Sequence, residues 1–287
     1  MRITGRTKLA GIMGWPVAHS RSPALHNFWL DEQGLDGAYL PLPVRPEQLA
    51  QALLALPVLG FRGCNLTIPH KPMALSVVDR VEPLARRIGA INTVIVAPDG
   101  SLEGRNTDVF GFRESLREGA PDWEPTGGPA IVLGAGGAAR AVVAALIEMG
   151  ITELRLVNRT RGRAEQVAEE LAAPRGKISI LPWEARDGAL EDAGLLVNAT
   201  SLGMTGEPEL AIDLALLPRQ AVVVDLVYVP LETDLLSAAR RRGNCVVDGL
   251  GMLLHQGRPG FEAWFGTPVR VTRELRAAVL TTLVAHR

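Results

Sequence analysis

At 287 residues the chain is long enough for two domains of ordinary size, and an apolar fraction of 47% supplies real cores and argues against disorder. A net charge of -1 excludes a general electrostatic footprint for nucleic acid or an anionic membrane, leaving small molecules as the expected partners. Cys64 and Cys245 show no metal-ligand spacing and sit in apolar, strand-like contexts, so both read as reduced core residues. Leu9–Trp15 is short and broken by Pro16, and no run reaches membrane-spanning length. The expectation is a soluble, cytoplasmic protein without a metal.

Leu9–Met13 reads as a first strand. It leads into Gly14-Trp15-Pro16-Val17-Ala18-His19-Ser20-Arg21-Ser22-Pro23, where Ser22 reads as an N-cap and Pro23 as the first residue of a helix with Leu25, Phe28 and Trp29 as its apolar stripe. Capping alone accounts for Ser22. Together, Ser20 and Ser22 each have a hydroxyl to donate at a helix N-terminus, and the pair can also hold a carboxylate. His19 and His26 read as turn and surface residues. Gly37–Val44 reads as a second strand, Pro46–Leu56 as a helix carrying Leu49, Leu53 and Leu54, and Gly60–Thr67 as a third strand, an α/β alternation. Lys71 stands where Pro72 opens a short helix. An ammonium there feels the positive helix end, which lowers its pKa and suits it to proton transfer; the alternative is a solvated surface lysine. Arg80–Ile88 reads as a helix, Gly89–Val96 as a turn into a strand, and Pro98-Asp99-Gly100 as the turn back to Leu102. A helix runs from Asp108 to about Glu118, and Asp108 suits its positive end whether or not it also meets Lys71.

The Pro- and Gly-rich stretch Gly119–Gly128 follows, so the helix from Asp108 reads as the connector between two domains, 1–107 with 249–287 and 108–248. Ala130-Ile131-Val132-Leu133-Gly134-Ala135-Gly136-Gly137-Ala138-Ala139 then reads as strand, tight turn and helix. Gly134, Gly136 and Ala139 fit the G-x-G-x-x-G/A dinucleotide fingerprint: one glycine for the turn, one for close approach of a pyrophosphate, one small residue for helix packing. Thr152–Val157 is the next strand, and the acidic residue that holds the ribose of NAD is missing after it. Asn158-Arg159-Thr160-Arg161-Gly162-Arg163 stands there instead, and guanidinium groups suit the 2′-phosphate of NADP; the alternative is Thr160 capping a helix whose first turn carries solvated arginines. Further strands near 178–181, 194–198, 221–225 and 244–247 make six, as a doubly wound sheet in the order 3-2-1-4-5-6 requires. That order puts Asn198-Ala199-Thr200-Ser201 beside the cofactor. After Asp248-Gly249-Leu250-Gly251-Met252-Leu253, helices Met252–Trp264 and Thr272–Ala285 must bury Leu253, Phe261, Trp264, Leu275 and Val279, and packing back on the first domain does so.

In ordered sequence, Pro16–Pro23, Asn65–Lys71, Ile91-Asn92-Thr93, Asn106-Thr107-Asp108, the glycine loop, Asn158-Arg159-Thr160 and Asp248–Leu253 together resemble the shikimate dehydrogenase family over nearly the whole chain. The resemblance implies an N-terminal α/β substrate domain, a Rossmann-type NADP domain, and NADPH-dependent reversible reduction of 3-dehydroshikimate to shikimate, on the route to chorismate and the aromatic amino acids. It implies that Ser20 and Ser22 hold the substrate carboxylate, that Thr67, Asn92, Asp108 and Gln256 bind ring hydroxyls, that Tyr228 lines the substrate cleft, and that Lys71 and Asp108 are the catalytic pair. On the cofactor side it implies Gly134, Ala135, Gly136, Gly137, Ala138 and Ala139 at the pyrophosphate, Asn158, Arg159, Thr160 and Arg163 at the 2′-phosphate, Met252 at the nicotinamide, and Thr200 and Gly249 nearby. The protein would be a monomer or homodimer. Trp15 and His70 depart from the family's usual residues and bear on substrate breadth.

Four other readings compete. A quinate/shikimate dehydrogenase using NAD shares the architecture, but Arg159 speaks against it. A methylenetetrahydrofolate dehydrogenase lacks the serine pair and Asp108, and a methyltransferase has no use for the arginines. A catalytically silent nucleotide-binding regulator is disfavoured because Lys71 and Asp108 are both kept.

Overall fold

The computed structural model of the protein describes residues 3–171 and 177–284. The chain divides into two compact units, 1–107 with 256–287 and 108–255, so its second crossing falls inside a helix between His255 and Gln256, seven residues beyond the expected Gly249.

The first unit contains β1 (Lys8–Gly14), α1 (Ser22–Glu32), β2 (Gly37–Pro43), α2 (Leu49–Ala55), β3 (Phe61–Leu66), α3 (His70–Met73), β4 (Arg80–Val81), α4 (Pro83–Ile88), β5 (Thr93–Val96) and β6 (Leu102–Arg105). They form one mixed sheet in the order β2-β1-β3-β5-β6-β4, with β2, β1 and β3 parallel and β5 antiparallel to both neighbours. Pro41 and Pro43 are tolerated because β2 is an edge strand. The reading of Arg80–Ile88 as one helix is corrected: Arg80 and Val81 pair with Glu103 and Gly104, and Pro83, fixed at a helical φ, starts α4. Leu49, Leu53, Leu56, Cys64, Ile91 and Val94 fill one core of this unit.

Residues 256–287 complete the unit through the later part of α9 (Gly249–Phe265) and α10 (Arg273–Val284); Ala285 lies outside the described residues. Phe261, Trp264, Leu275 and Val279 are buried, while Leu253 is half-buried and Leu254 takes the buried position beside it. A Cβ on Gly257 would lie 2.8 Å from Leu25 Cδ2, which measures how closely α9 approaches α1. Here His26 departs from its expected surface position. It is fully buried, stacked 4.1 Å from the Tyr39 ring, with Trp29 edge-on and Trp264 tilted against it, and burial pushes its pKa down to about 3.

The second unit contains α5 (Asp108–Gly119), β7 (Ala130–Leu133), α6 (Gly137–Glu148), β8 (Glu153–Val157), α7 (Arg161–Leu171), β9 (Lys177–Leu181), β10 (Leu195–Asn198), β11 (Val222–Asp225), α8 (Asp234–Arg242) and β12 (Cys245–Val247), besides the start of α9. The sheet is wholly parallel in the order β12-β11-β10-β7-β8-β9, which is the expected 3-2-1-4-5-6. Its central strands are buried on both faces, hence their unbroken apolar sequences. Cys245 corrects its expected core position: it begins an edge strand and is exposed, whereas Cys64 in β3 is buried and its thiol is pushed up by that burial. Among the described residues, no helix is long and apolar enough to cross a membrane.

Candidate active site

In the first unit the polar residues of interest gather where the parallel strands end. β1 leads into the loop carrying Ser20 and Ser22. The helix there starts one residue earlier than expected: Arg21 is the N-cap position, without a side-chain cap, and Ser22 is the first helical residue. The Ser22 N–H donates to Ser20 Oγ (3.3 Å), so the two serines are adjacent. β3 ends at Thr67, whose N–H donates to the Met13 carbonyl (3.0 Å) and whose carbonyl accepts from His70 N–H (2.8 Å). Lys71 follows on the single turn of α3, half-buried, its carbonyl accepting from Ile91 N–H (2.8 Å) next to Asn92. His70 is buried with Nε2 at 2.8 Å from the Val44 carbonyl, while Trp15 is exposed under the Arg45 guanidinium, 5.1 Å from the ring centroid.

Asn92 is buried at the centre of a hydrogen-bonded set. Its Nδ2 donates to Thr107 Oγ1 (3.0 Å) and Gln256 Oε1 (3.3 Å), and its Oδ1 accepts from Thr107 N–H (2.8 Å) and Thr93 Oγ1 (3.0 Å). Two residues that sequence reasoning left without a role extend this set to β2: the Tyr39 hydroxyl donates to Asn65 Oδ1 (2.6 Å), and Asn65 Nδ2 donates to the Asn92 carbonyl and Thr93 Oγ1, both at 3.1 Å. One chain of hydrogen bonds thus joins Tyr39 to Gln256. A signal was present in Asn65, an amide in a β3 sequence that is otherwise apolar or small after Arg62.

In the second unit, Asp108 is buried as the first residue of α5, where its carboxylate suits the positive helix end. Gly134 follows β7 with φ +106, and a Cβ there would meet the Ala199 carbonyl oxygen and Thr200 Cγ2 at 3.0 Å. Gly136 is the N-cap of α6 without a side-chain cap, and Gly136 and Gly137 are exposed with no protein atom within 4 Å of an added Cβ. Ala135 is half-buried, Ala138 exposed, and Ala139 fully buried against the sheet. After β8, Asn158 Nδ2 donates to the Thr160 carbonyl (2.8 Å), closing a tight turn. Arg161 pairs with Glu165, whereas among the described residues none accepts from the exposed guanidinium of Arg159 or Arg163. Free helix N–H groups over an open glycine pair, followed by two unengaged guanidinium groups, fit the pyrophosphate and 2′-phosphate of NADP. Thr200 is held in a turn by Asn198 Oδ1, and Tyr228 and Met252 are half-buried. Gly249 is buried, with an added Cβ falling inside van der Waals contact of the Leu226 carbonyl, so packing alone accounts for its small size.

The two halves of the chain match separate family profiles: residues 12–94 the shikimate dehydrogenase substrate binding domain, and residues 125–225 shikimate / quinate 5-dehydrogenase. A protein of Paramagnetospirillum magneticum called shikimate dehydrogenase (NADP(+)) is 58% identical over 97% of this chain and 100% of its own length. Shikimate 5-dehydrogenase from Thermus thermophilus, solved with NADP(H) and shikimate, is 40% identical with a TM-score of 0.84, covering 96% of this chain and 99% of the other. Quinate dehydrogenase from Corynebacterium glutamicum, solved with NAD, is 32% identical with a TM-score of 0.89 over the same shares. With a match on each half and relatives that span nearly its full length, the chain belongs to the shikimate dehydrogenase family.

Proposed function

We propose that the chain reversibly reduces 3-dehydroshikimate to shikimate with NADPH, using Lys71 and Asp108 as the catalytic pair. The observation that carries this function is 58% identity over 97% of the chain to a shikimate dehydrogenase (NADP(+)). NADPH, when bound, supplies the hydride. The Lys71 ammonium stabilises the negative charge that develops on the carbonyl oxygen and gives that oxygen its proton; in the reverse direction the amine takes the proton back. The Asp108 carboxylate accepts hydrogen bonds from a substrate hydroxyl and the ammonium, fixing their geometry. Ser20 and Ser22 donate to the substrate carboxylate, Thr67, Asn92 and Gln256 bind ring hydroxyls, and Tyr228 lies against the ring. Gly134–Ala139 hold the pyrophosphate, with Thr200 and Met252 nearby, and Asn158, Arg159, Thr160 and Arg163 take the 2′-phosphate side. Such an enzyme works in the cytoplasm as a monomer or homodimer.

The test is the initial rate of NADPH oxidation with 3-dehydroshikimate, beside shikimate and quinate oxidation with NADP and NAD. Turnover confined to shikimate and NADP is expected; preference for quinate or NAD overturns the substrate and cofactor assignment. Lys71→Ala should lower kcat by orders of magnitude with a modest change in KM, as for an interaction made in the transition state. Near-normal kcat in that variant removes Lys71 from the mechanism.

A further inference from the structure

In the second unit, β10 and β11 end side by side on the only polar pair in their shared register, Asn198 against Asp225, after three apolar pairs. Asp225 is buried, and that burial raises its pKa from the carboxylate range. A buried carboxylate in a Val- and Leu-rich sheet costs more than an apolar residue of like size, so its donors indicate what it does there. Oδ1 accepts from Asn198 Nδ2 (2.9 Å) and Val227 N–H (3.0 Å), and Oδ2 accepts from Thr233 Oγ1 (2.7 Å).

Each donor controls a different loop. Thr233 is the N-cap of α8, accepting from Leu236 N–H. Val227 sets the chain immediately before Tyr228. Asn198, oriented by Asp225 and by the Leu202 carbonyl, presents Oδ1 to both the N–H (3.1 Å) and the hydroxyl (2.7 Å) of Thr200, and the Thr200 hydroxyl in turn accepts from Leu202 N–H (3.1 Å). That turn is the surface against which Gly134 has no room for a side chain.

We infer that Asp225 is a positioning residue for the cofactor: through Asn198 it locks the 198–202 turn against the Gly134 loop and so sets the floor on which NADP(H) binds. The inference rests on the assignment of Thr200 and the glycine loop to the cofactor. Asparagine can replace Asp225 without loss of the lock, because its Oδ1 still accepts from Asn198 and Val227 while its Nδ2 donates to Thr233 Oγ1, which has a lone pair to spare. Alanine cannot.

Two readouts on the intact protein separate the lock from its consequence: amide hydrogen exchange over residues 198–203, and the KM for NADPH against the KM for 3-dehydroshikimate. Asp225→Ala should speed exchange in that segment and raise the NADPH KM roughly tenfold or more, about 1.4 kcal/mol, with a smaller change for the other substrate, and Asp225→Asn should restore both. Should Asp225→Ala not fold, Asn198→Ala removes the same lock from the other strand and should give the same pattern. Unchanged exchange in the folded variants overturns the lock. Faster exchange with an unchanged NADPH KM overturns the inference through the site assignment, and a normal NADPH KM in Thr200→Val would locate that failure in the assignment itself. A drop in Tm equal for the Ala and Asn variants, with no change in NADPH KM, leaves Asp225 a purely structural residue.

Discussion

Gly136→Ala separates what the second unit needs in order to fold from what it needs in order to bind. Gly136 has φ -87 and ψ -172, a conformation open to any residue, and an added Cβ meets no protein atom within 4 Å. The cost to the fold is therefore only that of a poorer N-cap on α6, about 0.5–1 kcal/mol, or a fall in Tm of roughly 1–4 °C for a unit of this size. A pyrophosphate lying over the α6 N-terminus would meet that methyl directly and lose one charge-assisted N–H bond. At roughly 1.5–3 kcal/mol, the NADPH KM should rise by roughly 10- to 100-fold. Gly134→Ala is the contrasting variant: φ +106 and contacts at 3.0 Å to the Ala199 carbonyl and Thr200 add backbone strain to overpacking, so stability falls as well, by about 2–4 kcal/mol. The assay is thermal melting beside NADPH titration of the initial rate for both variants. An NADPH KM within twofold of the parent in Gly136→Ala would refute the placement of the pyrophosphate over this loop.

Arg159→Ala should raise the KM for NADPH by roughly 10- to 100-fold through loss of a charge-assisted contact, while leaving the KM for NADH nearly unchanged; equal effects on both cofactors undo the 2′-phosphate argument. The buried His26 gives a pH dependence with a defined sign: its folded pKa of about 3 lies below the ordinary 6.5, so the folded state favours the neutral ring. Stability is then fully present above pH 6.5 and falls towards pH 3, by at most about 1.4 kcal/mol per pH unit. His26→Phe, which keeps the stack on Tyr39, should flatten urea-melt stability between pH 7 and 4.5, and an unchanged slope in that variant assigns the acid sensitivity elsewhere.

Periodicity and breaker residues sufficed for the architecture because each parallel strand of the second unit is a short unbroken apolar run and each helix carries an apolar stripe. Gly134 was legible for the same reason, since a glycine between such a strand and such a helix has few other uses. His26 was missed by composition-based expectation alone: it stands four residues after Ser22 and three before Trp29, on the buried face of α1, whereas Phe28, counted in the stripe, is only half-buried. Arg80–Val81 escaped notice because two residues carry no pattern, and Cys245 because an apolar run does not tell an edge strand from a central one. Tyr39, Asn65 and Asp225 share a different obstacle. Their roles come from partners 8 to 27 residues away or on neighbouring strands, and no local spacing records such a partner.

These buried polar groups occupy corresponding places in both units. Thr67 follows β3 and Gly134 follows β7, while Asn198 and Asp225 end β10 and β11; in the three strands of the second unit the interior is apolar, in β3 it also carries Arg62 and Asn65, and in every case the site residues stand at the carboxyl end. A parallel sheet makes that arrangement natural, because helix N-termini and the exits of adjacent strands converge on that edge and offer unpaired donors to a ligand. The cost is that loops there lack the ladder of hydrogen bonds that fixes a strand. In the first unit the chain Tyr39–Asn65–Asn92–Gln256 supplies the missing constraint, and in the second the Asn198–Asp225–Thr233 set does. Both sets are buried, so each bond is worth more than it would be in water and each lost partner costs more. Substitutions within them should consequently alter ligand affinity out of proportion to their distance from the ligand, whereas equally buried apolar positions in the strands, such as Val197 or Val223, should alter stability first.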